Sequence, residues 1–217
     1  MSDIEGKKPS KFKTYCNKKK INYLAVEYSG HGKSYGKFTN GNISKWTNDS
    51  IKLIKSKFKE KKFILIGSSM GSWIALNLIK VFKKQIKGFI GIGSAPEFLE
   101  KLMWNKFSKD IKKIVNSKKI YYLKHGNHTY PLTKQLFLDG KKNKVFKKKL
   151  KLNIPVIMFH GAKDEVVPTS FSKKALNIFP NAKKKLFIIK SGDHSLSKKN
   201  YLNKICKELD KMIKNIS

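Results

Sequence analysis

The stretch Phe63-Ile64-Leu65-Ile66-Gly67-Ser68-Ser69-Met70-Gly71-Ser72-Trp73-Ile74-Ala75-Leu76-Asn77-Leu78-Ile79 carries three signals in order. An apolar run of strand length comes first. The pentapeptide Gly67-Ser68-Ser69-Met70-Gly71 follows, and then an apolar pattern of helical length. A strand that feeds a helix through Gly-x-Ser-x-Gly sets the middle serine on a sharp turn above the strand end, the layout of a nucleophile elbow. Gly67 and Gly71 are expected there because such a turn leaves no room for a Cβ. The competing reading is a plain glycine turn between a buried strand and its helix. The pentapeptide by itself does not separate the two.

Outward from this stretch, apolar strands and helical patterns alternate. Residues 7–19 predict a helix with Phe12, Tyr15 and Cys16 at 3/4 spacing, and residues 22–28 a strand. A glycine-rich loop leads to a helix over Ile43–Lys59. Downstream, strands are predicted at 86–93, 155–160 and 185–190, with helices at 169–179 and 197–215. That makes five parallel strands. Continuous apolar strands alternating with helices predict an α/β fold, a doubly wound and mainly parallel sheet covered on both faces. Between the strands at 86–93 and 155–160 lies an aromatic-rich excursion, residues 95–150. It shows helical patterns near 97–104, 108–116 and 131–138.

At 217 residues the chain is expected to be a single domain, 1–217, with the excursion as a lid insertion. No apolar stretch reaches the roughly 18 residues of a membrane span, and the first residues show no apolar signal core. The chain is therefore read as cytoplasmic. Cys16 and Cys206 imply no disulfide framework. The net charge of +35 suggests polyanion binding, yet all 49 basic residues are lysine. Base-specific contacts favour the bidentate fork of arginine. The lysines are also spread through every segment, beside abundant Asn and Ile. No specific nucleic-acid partner is expected.

An elbow serine needs a base, and the base needs an orienting carboxylate. Gly161-Ala162-Lys163-Asp164-Glu165 follows the strand at 155–160, and Ser191-Gly192-Asp193-His194-Ser195 follows the strand at 185–190. Ser69, Asp164 and His194 thus fall at three strand ends. Glu165 and Asp193 are the neighbouring alternatives for the acid, and Asp193, directly before the histidine, is expected to point elsewhere. His160 ends a buried strand and reads as structural. His31 reads as loop packing, with substrate contact as the alternative. His125 and His128 have no accompanying carboxylate or cysteine cluster. No metal and no cofactor are predicted. Trp46 and Trp73 read as helix-packing positions. Trp104, Tyr121 and Phe137 of the excursion, with Met103 and Tyr122, either line an acyl pocket or form the core of the lid.

These motifs resemble those of the α/β-hydrolases of the serine aminopeptidase and lysophospholipase-like type. More narrowly, the chain resembles the group that contains the mitochondrial depalmitoylating thioesterase ABHD ten and its bacterial relatives. The likeness is carried by Asp3-Ile4-Glu5-Gly6-Lys7-Lys8, Tyr28-Ser29-Gly30-His31-Gly32-Lys33-Ser34, Gly41-Asn42-Ile43-Ser44-Lys45-Trp46 and Gly67–Trp73. It continues through Ile90–Pro96, His160–Asp164 and Gly192–Ser197. The resemblance implies hydrolysis of small-molecule acyl esters or thioesters, with Ser69 as nucleophile, His194 as base and Asp164 as acid. It also implies an oxyanion hole that includes the Met70 amide.

In such proteins the second oxyanion donor lies on a loop that ends in a Ser-Asp pair ahead of the first helix. Ser2-Asp3-Ile4-Glu5-Gly6 matches the end of that loop. The preceding central strand and the second donor are therefore expected upstream of Met1, with an unfilled slot between residues 22–28 and 63–67. The runner-up reading is a noncatalytic member of the fold that binds an acyl ligand or a partner protein.

Overall fold

The structure, a computed structural model, describes residues 4–125 and 128–215. Helix α1 (Lys7–Lys18) is followed by an extended segment and by α2 (Ile43–Phe58). Asn42 caps α2, its side chain accepting from the Lys45 amide at 2.8 Å. Ile43, Trp46, Thr47, Ser50 and Ile54 recur at 3/4 spacing and form its buried face. Then come β1 (Phe63–Ser68), α3 (Met70–Val81) and β2 (Ile86–Ile92). The insertion holds α4 (Lys109–Lys118), β3 (Ile120–His125), β4 (His128–Thr133) and α5 (Lys134–Lys142). The chain closes with β5 (Pro155–Gly161), α6 (Ser170–Asn177), β6 (Lys183–Ile189) and α7 (Lys199–Lys214).

The main sheet has the order β1-β2-β5-β6, every pair parallel. Its strands are sandwiched by two apolar clusters. Phe89, Val156 and Met158 face the cluster that contains Trp46, Trp73 and Leu76, while Ile90, Ile157 and Phe159 face the one that contains Phe12, Tyr201 and Ile205. This alternation requires helices on both faces, because each strand has an apolar side chain on either side. Parallel pairing brings all four carboxyl ends to one edge of the sheet, where the loops that carry Ser69, Asp164 and His194 converge.

Residues 22–28, expected as a strand, form none. They run extended, and their side chains still straddle the two clusters: Leu24 and Tyr28 pack on one, Tyr23 on the other. Alternation decides which way side chains face, but a strand also needs a ladder partner. Among the described residues neither this segment nor the outer edge of β1 has one. Among the described residues the parallel sheet therefore has four strands rather than the expected five, and β1 lies at its edge.

The insertion also departs from its predicted helices. The first pattern is a π-helical turn, Leu99–Met103, followed by a 3-10 turn, Trp104–Lys106. The hairpin β3–β4 was not expected from the helical pattern at 131–138. Pro131 stands opposite Tyr122 in this two-stranded ribbon, where a strand edge needs no amide from proline. The helix starts only at Lys134, capped by Thr133, whose hydroxyl accepts from the Leu136 amide at 3.2 Å. Among the described residues no helix is long and apolar enough to cross a membrane.

Candidate active site

Ser69 occupies the turn between β1 and α3 with φ 52° and ψ −120°. A non-glycine residue in that region is strained and persists only where its surroundings hold it. Here the Ser69 amide donates to Ile92 O at 2.9 Å, and Ser69 O accepts from the Ser72 amide at 3.0 Å and the Ser72 hydroxyl at 2.8 Å. The two elbow glycines differ in what they do. A Cβ on Gly67 would lie 2.5 Å from Ser72 Cα and 2.7 Å from Gly71 O, so α3 can start there only over a glycine. A Cβ on Gly71 would meet nothing closer than the Tyr28 hydroxyl, at 3.6 Å, an ordinary contact. The expectation that both glycines are sterically required is therefore corrected: Gly67 is, and Gly71 is not.

Three side chains from three loops form one hydrogen-bonded chain. His194 Nδ1 lies 2.7 Å from Asp164 Oδ2, and His194 Nε2 lies 3.0 Å from Ser69 Oγ. An ionised carboxylate only accepts, so Nδ1 carries the hydrogen and Nε2 is left to accept from the Ser69 hydroxyl. The Asp164 side chain is fully buried, whereas that of His194 is 25 % exposed. The Asp164 carboxylate is held from all sides. Oδ1 accepts from the Val166 and Val167 amides at 3.0 and 2.8 Å. Oδ2 is also 3.0 Å from His160 Nε2.

His160 is fully buried. Its Nε2 donates to Val167 O at 2.8 Å, since a carbonyl has no hydrogen to give, and its Nδ1 meets the Ser172 hydroxyl at 2.7 Å. One carboxylate thus touches two histidines, and only His194 has a nitrogen directed at Ser69. Sequence reasoning missed this link, although the i, i+4 spacing of His160 and Asp164 was visible. Of the alternative acids, Glu165 is exposed. Asp193 turns back on its own loop, its Oδ1 accepting from the Leu196 amide at 2.8 Å.

The other expected residues fall elsewhere. His31 is 6 % exposed and enclosed by Tyr28, Phe38 and Trp46, with ring centroids at 5.6, 5.2 and 5.0 Å. Burial pushes its imidazole below the usual histidine range. Trp104, Tyr121 and Phe137 come together in one aromatic cluster bridged by Phe107: Trp104 and Phe137 stand 5.2 Å apart, Phe107 and Tyr121 5.9 Å. His125 and His128 pair across the hairpin, and their side chains lie outside the described residues. Among the described residues no group of three or more His, Cys, Asp or Glu could hold a metal ion. An open hollow of about 450 Å³ at the base of the insertion is lined by Thr39, Ile120, Thr133 and Leu138 and includes none of Ser69, Asp164 or His194.

Comparison with known proteins agrees with this architecture. The mitochondrial palmitoyl-protein thioesterase ABHD10 of Bos taurus is 22 % identical over 222 aligned residues, covering 100 % of this chain and 71 % of that one. The crystal structure of a hydrolase from Agrobacterium vitis S4 superposes with a TM-score of 0.93 at 28 % identity, over 98 % of this chain and 84 % of that one. The mouse α/β-hydrolase domain-containing protein 10 superposes with a TM-score of 0.89 at 22 % identity, over 100 % and 87 %. The family model described as serine aminopeptidase, S33, matches residues 8–134, more than half of the sequence. With that match and this sheet, the chain belongs to the serine aminopeptidase S33 family of α/β-hydrolases.

Proposed function

We propose that this chain is a serine hydrolase that cleaves carboxylic esters or acyl thioesters through an acyl-enzyme, with Ser69, His194 and Asp164 as its catalytic triad. The observation that carries the reading is the continuous hydrogen-bonded chain from Ser69 Oγ through both nitrogens of His194 to Asp164. Ser69 Oγ attacks the acyl carbonyl carbon while its proton passes to His194 Nε2. The C–O or C–S bond then breaks, and His194 returns the proton to the leaving group. Water repeats the sequence in reverse and frees the acid and Ser69. Asp164 keeps the proton on Nδ1 and stabilises the imidazolium between the two transfers.

The developing oxyanion would be met by the amide of Met70, the first residue of α3, which has no intrahelical acceptor. A second donor is expected on the loop that enters α1. Residues 1–3, part of that loop, lie outside the described residues. The insertion serves in this reading as a lid, with Trp104, Tyr121 and Phe137 toward the acyl chain. His31, enclosed by three rings, packs its own loop. The thioester side of the assignment is supported by the likeness, over 100 % of this chain and 71 % of the relative, to a palmitoyl-protein thioesterase.

Replacing Ser69→Ala should abolish hydrolysis of p-nitrophenyl esters and of an acyl-coenzyme A thioester, with thermal stability kept. Activity retained in that variant overturns the assignment. A wild-type chain that never reacts with a fluorophosphonate probe supports the noncatalytic ligand-binding alternative instead.

A further inference from the structure

We propose that Lys8 is a positioning residue that sets the orientation of His194 toward Ser69, acting across the fold from the first turn of α1. The inference rests on the hydrolase reading above and concerns the loop that bears its base. Lys8 Nζ donates to the carbonyl of Ser195, the residue directly after His194, at 2.5 Å, and to the Ser197 hydroxyl at 3.3 Å. Residues 8 and 195 are far apart in sequence, and α1 lies at the opposite end of the chain from β6.

The need for such a contact follows from how the loop is built. On the N-terminal side of His194, Gly192 O accepts from the Lys163 amide at 2.9 Å, which ties the loop to the one that holds Asp164. A Cβ on Gly161 would come within 2.4 Å of Asp193 O, so the two loops touch backbone to backbone. On the C-terminal side Leu196 packs into the cluster of Phe12, Tyr201 and Ile205, and among the described residues the hydrogen bonds other than those of Lys8 are internal to the loop. The Leu196 amide donates to Asp193 Oδ1, and the Ser197 amide donates to Ser195 Oγ at 3.2 Å. Leu196 is buried and adopts φ 47°. A left-handed leucine is strained and persists only where its surroundings hold it. The apolar cluster holds its side chain, and Lys8 supplies a polar restraint from outside the loop by fixing the carbonyl between His194 and Leu196.

The chemistry suits a lysine. Its ammonium offers three donors and no acceptor, and it meets one carbonyl and one hydroxyl here. Burial pushes this ammonium below the usual lysine range, and the nearby Asp193 carboxylate offsets part of that cost. A cation kept in a half-buried position with two oxygen partners is a restraint with direction. The angle of the His194 ring matters because misplacing a reacting group by about 1 Å costs on the order of 100-fold in rate.

The test uses the full chain with Lys8→Met, Lys8→Arg and, as a control, the exposed neighbour Lys7→Met. Three readouts are needed: the rate of fluorophosphonate labelling, the separate kcat and KM for a p-nitrophenyl ester, and the downfield proton resonance of His194 Nδ1–H. Lys8→Met is expected to slow labelling and lower kcat roughly 10- to 100-fold with KM changed little, and to broaden or shift the Nδ1–H resonance. Lys8→Arg should restore much of the loss, and Lys7→Met should change nothing. Wild-type labelling rate and an unchanged resonance in Lys8→Met overturn the proposal. If Lys8→Met does not fold, Lys8→Arg at the wild-type labelling rate together with Ser197→Ala slowed several-fold supports it, and Ser197→Ala at the wild-type rate overturns it. Failure of the wild type to react with the probe would refute the hydrolase reading, and the resonance would still decide the role of Lys8.

Discussion

Two carboxylates organise two polar centres of this molecule, and they are used in opposite ways. Asp164 sits where the loops after β5 and β6 meet. It takes two backbone amides and two histidine nitrogens, and its network ends on Ser69. Asp139 sits on α5 of the insertion. It accepts from the Ser44 amide at 2.8 Å, the Ser44 hydroxyl at 2.6 Å and the Asn143 side chain at 3.1 Å. Asn143 O in turn accepts from Trp73 Nε1 at 2.8 Å, and Asn143 Oδ1 accepts from Asn77 at 3.3 Å. Both carboxylates are well supplied with donors. The Asp164 network includes an imidazole, which can accept a proton on one nitrogen while donating from the other, and ends on a partly exposed ring. The Asp139 network is completed by hydroxyl, amide and indole groups, none of which is a base of that kind. The first arrangement can move a proton. The second can only hold α5 against α2 and α3, which makes α5 a fixed part of the body.

The comparison can be broken most sharply by exchanging each aspartate for asparagine. Asp164→Asn should lower turnover by about 10⁴-fold, because an amide no longer enforces the tautomer of His194; steady-state kinetics on a p-nitrophenyl ester measures it. Asp139→Asn should leave turnover within a few-fold and reduce stability by about 1–3 kcal/mol through its mispaired donors, read from urea unfolding. Loss of activity in Asp139→Asn with stability intact would dissolve the distinction.

A second contrast lies within the elbow. Gly67→Ala should strongly destabilise or prevent folding, since its methyl would strike the backbone of Ser72. Gly71→Ala should be tolerated, and as a helical position it should raise stability by up to about 1 kcal/mol. Thermal unfolding of the pair decides it.

The smallest effect concerns the clasp between α1 and α7. Hydrogen bonds from Lys19 and then Tyr15 lower the Asp210 carboxyl to about 2 from its ordinary 3.8. A carboxylate whose folded value is depressed stabilises the fold above the unfolded value, and that contribution is lost as pH falls from about 3.8 toward about 2. Asp210→Asn should therefore lower stability slightly at pH 7, where the contribution is fully present, and flatten the profile in that acid window so that the two proteins converge near pH 2, as chemical denaturation across pH would show.

Much of this was readable from local pattern. The elbow is contiguous, its strand and helix are announced by apolar spacing, and Asp164 and His194 stand next to glycines at strand ends. The helices α1, α2 and α7 appear within a few residues of their predicted bounds, because each buries a stripe that recurs every three or four residues. The hairpin was missed because Tyr121-Tyr122 and Tyr130-Pro131-Leu132 carry period-2 and period-3.6 readings equally well over so few residues. Residues 22–28 misled for a different reason: their alternation reports two-sided burial, and pairing depends on what lies alongside.

By itself, then, the sequence determined the order of layers, the strained serine turn and the residue types brought to each strand end, since these depend on neighbours a few positions apart. The tertiary structure alone decided that residues 22–28 find no ladder partner among the described residues, and that Lys8 reaches the loop beyond β6. Each of those depends on side chains meeting across more than a hundred residues or on a ladder partner supplied from elsewhere, and no local spacing encodes such a meeting.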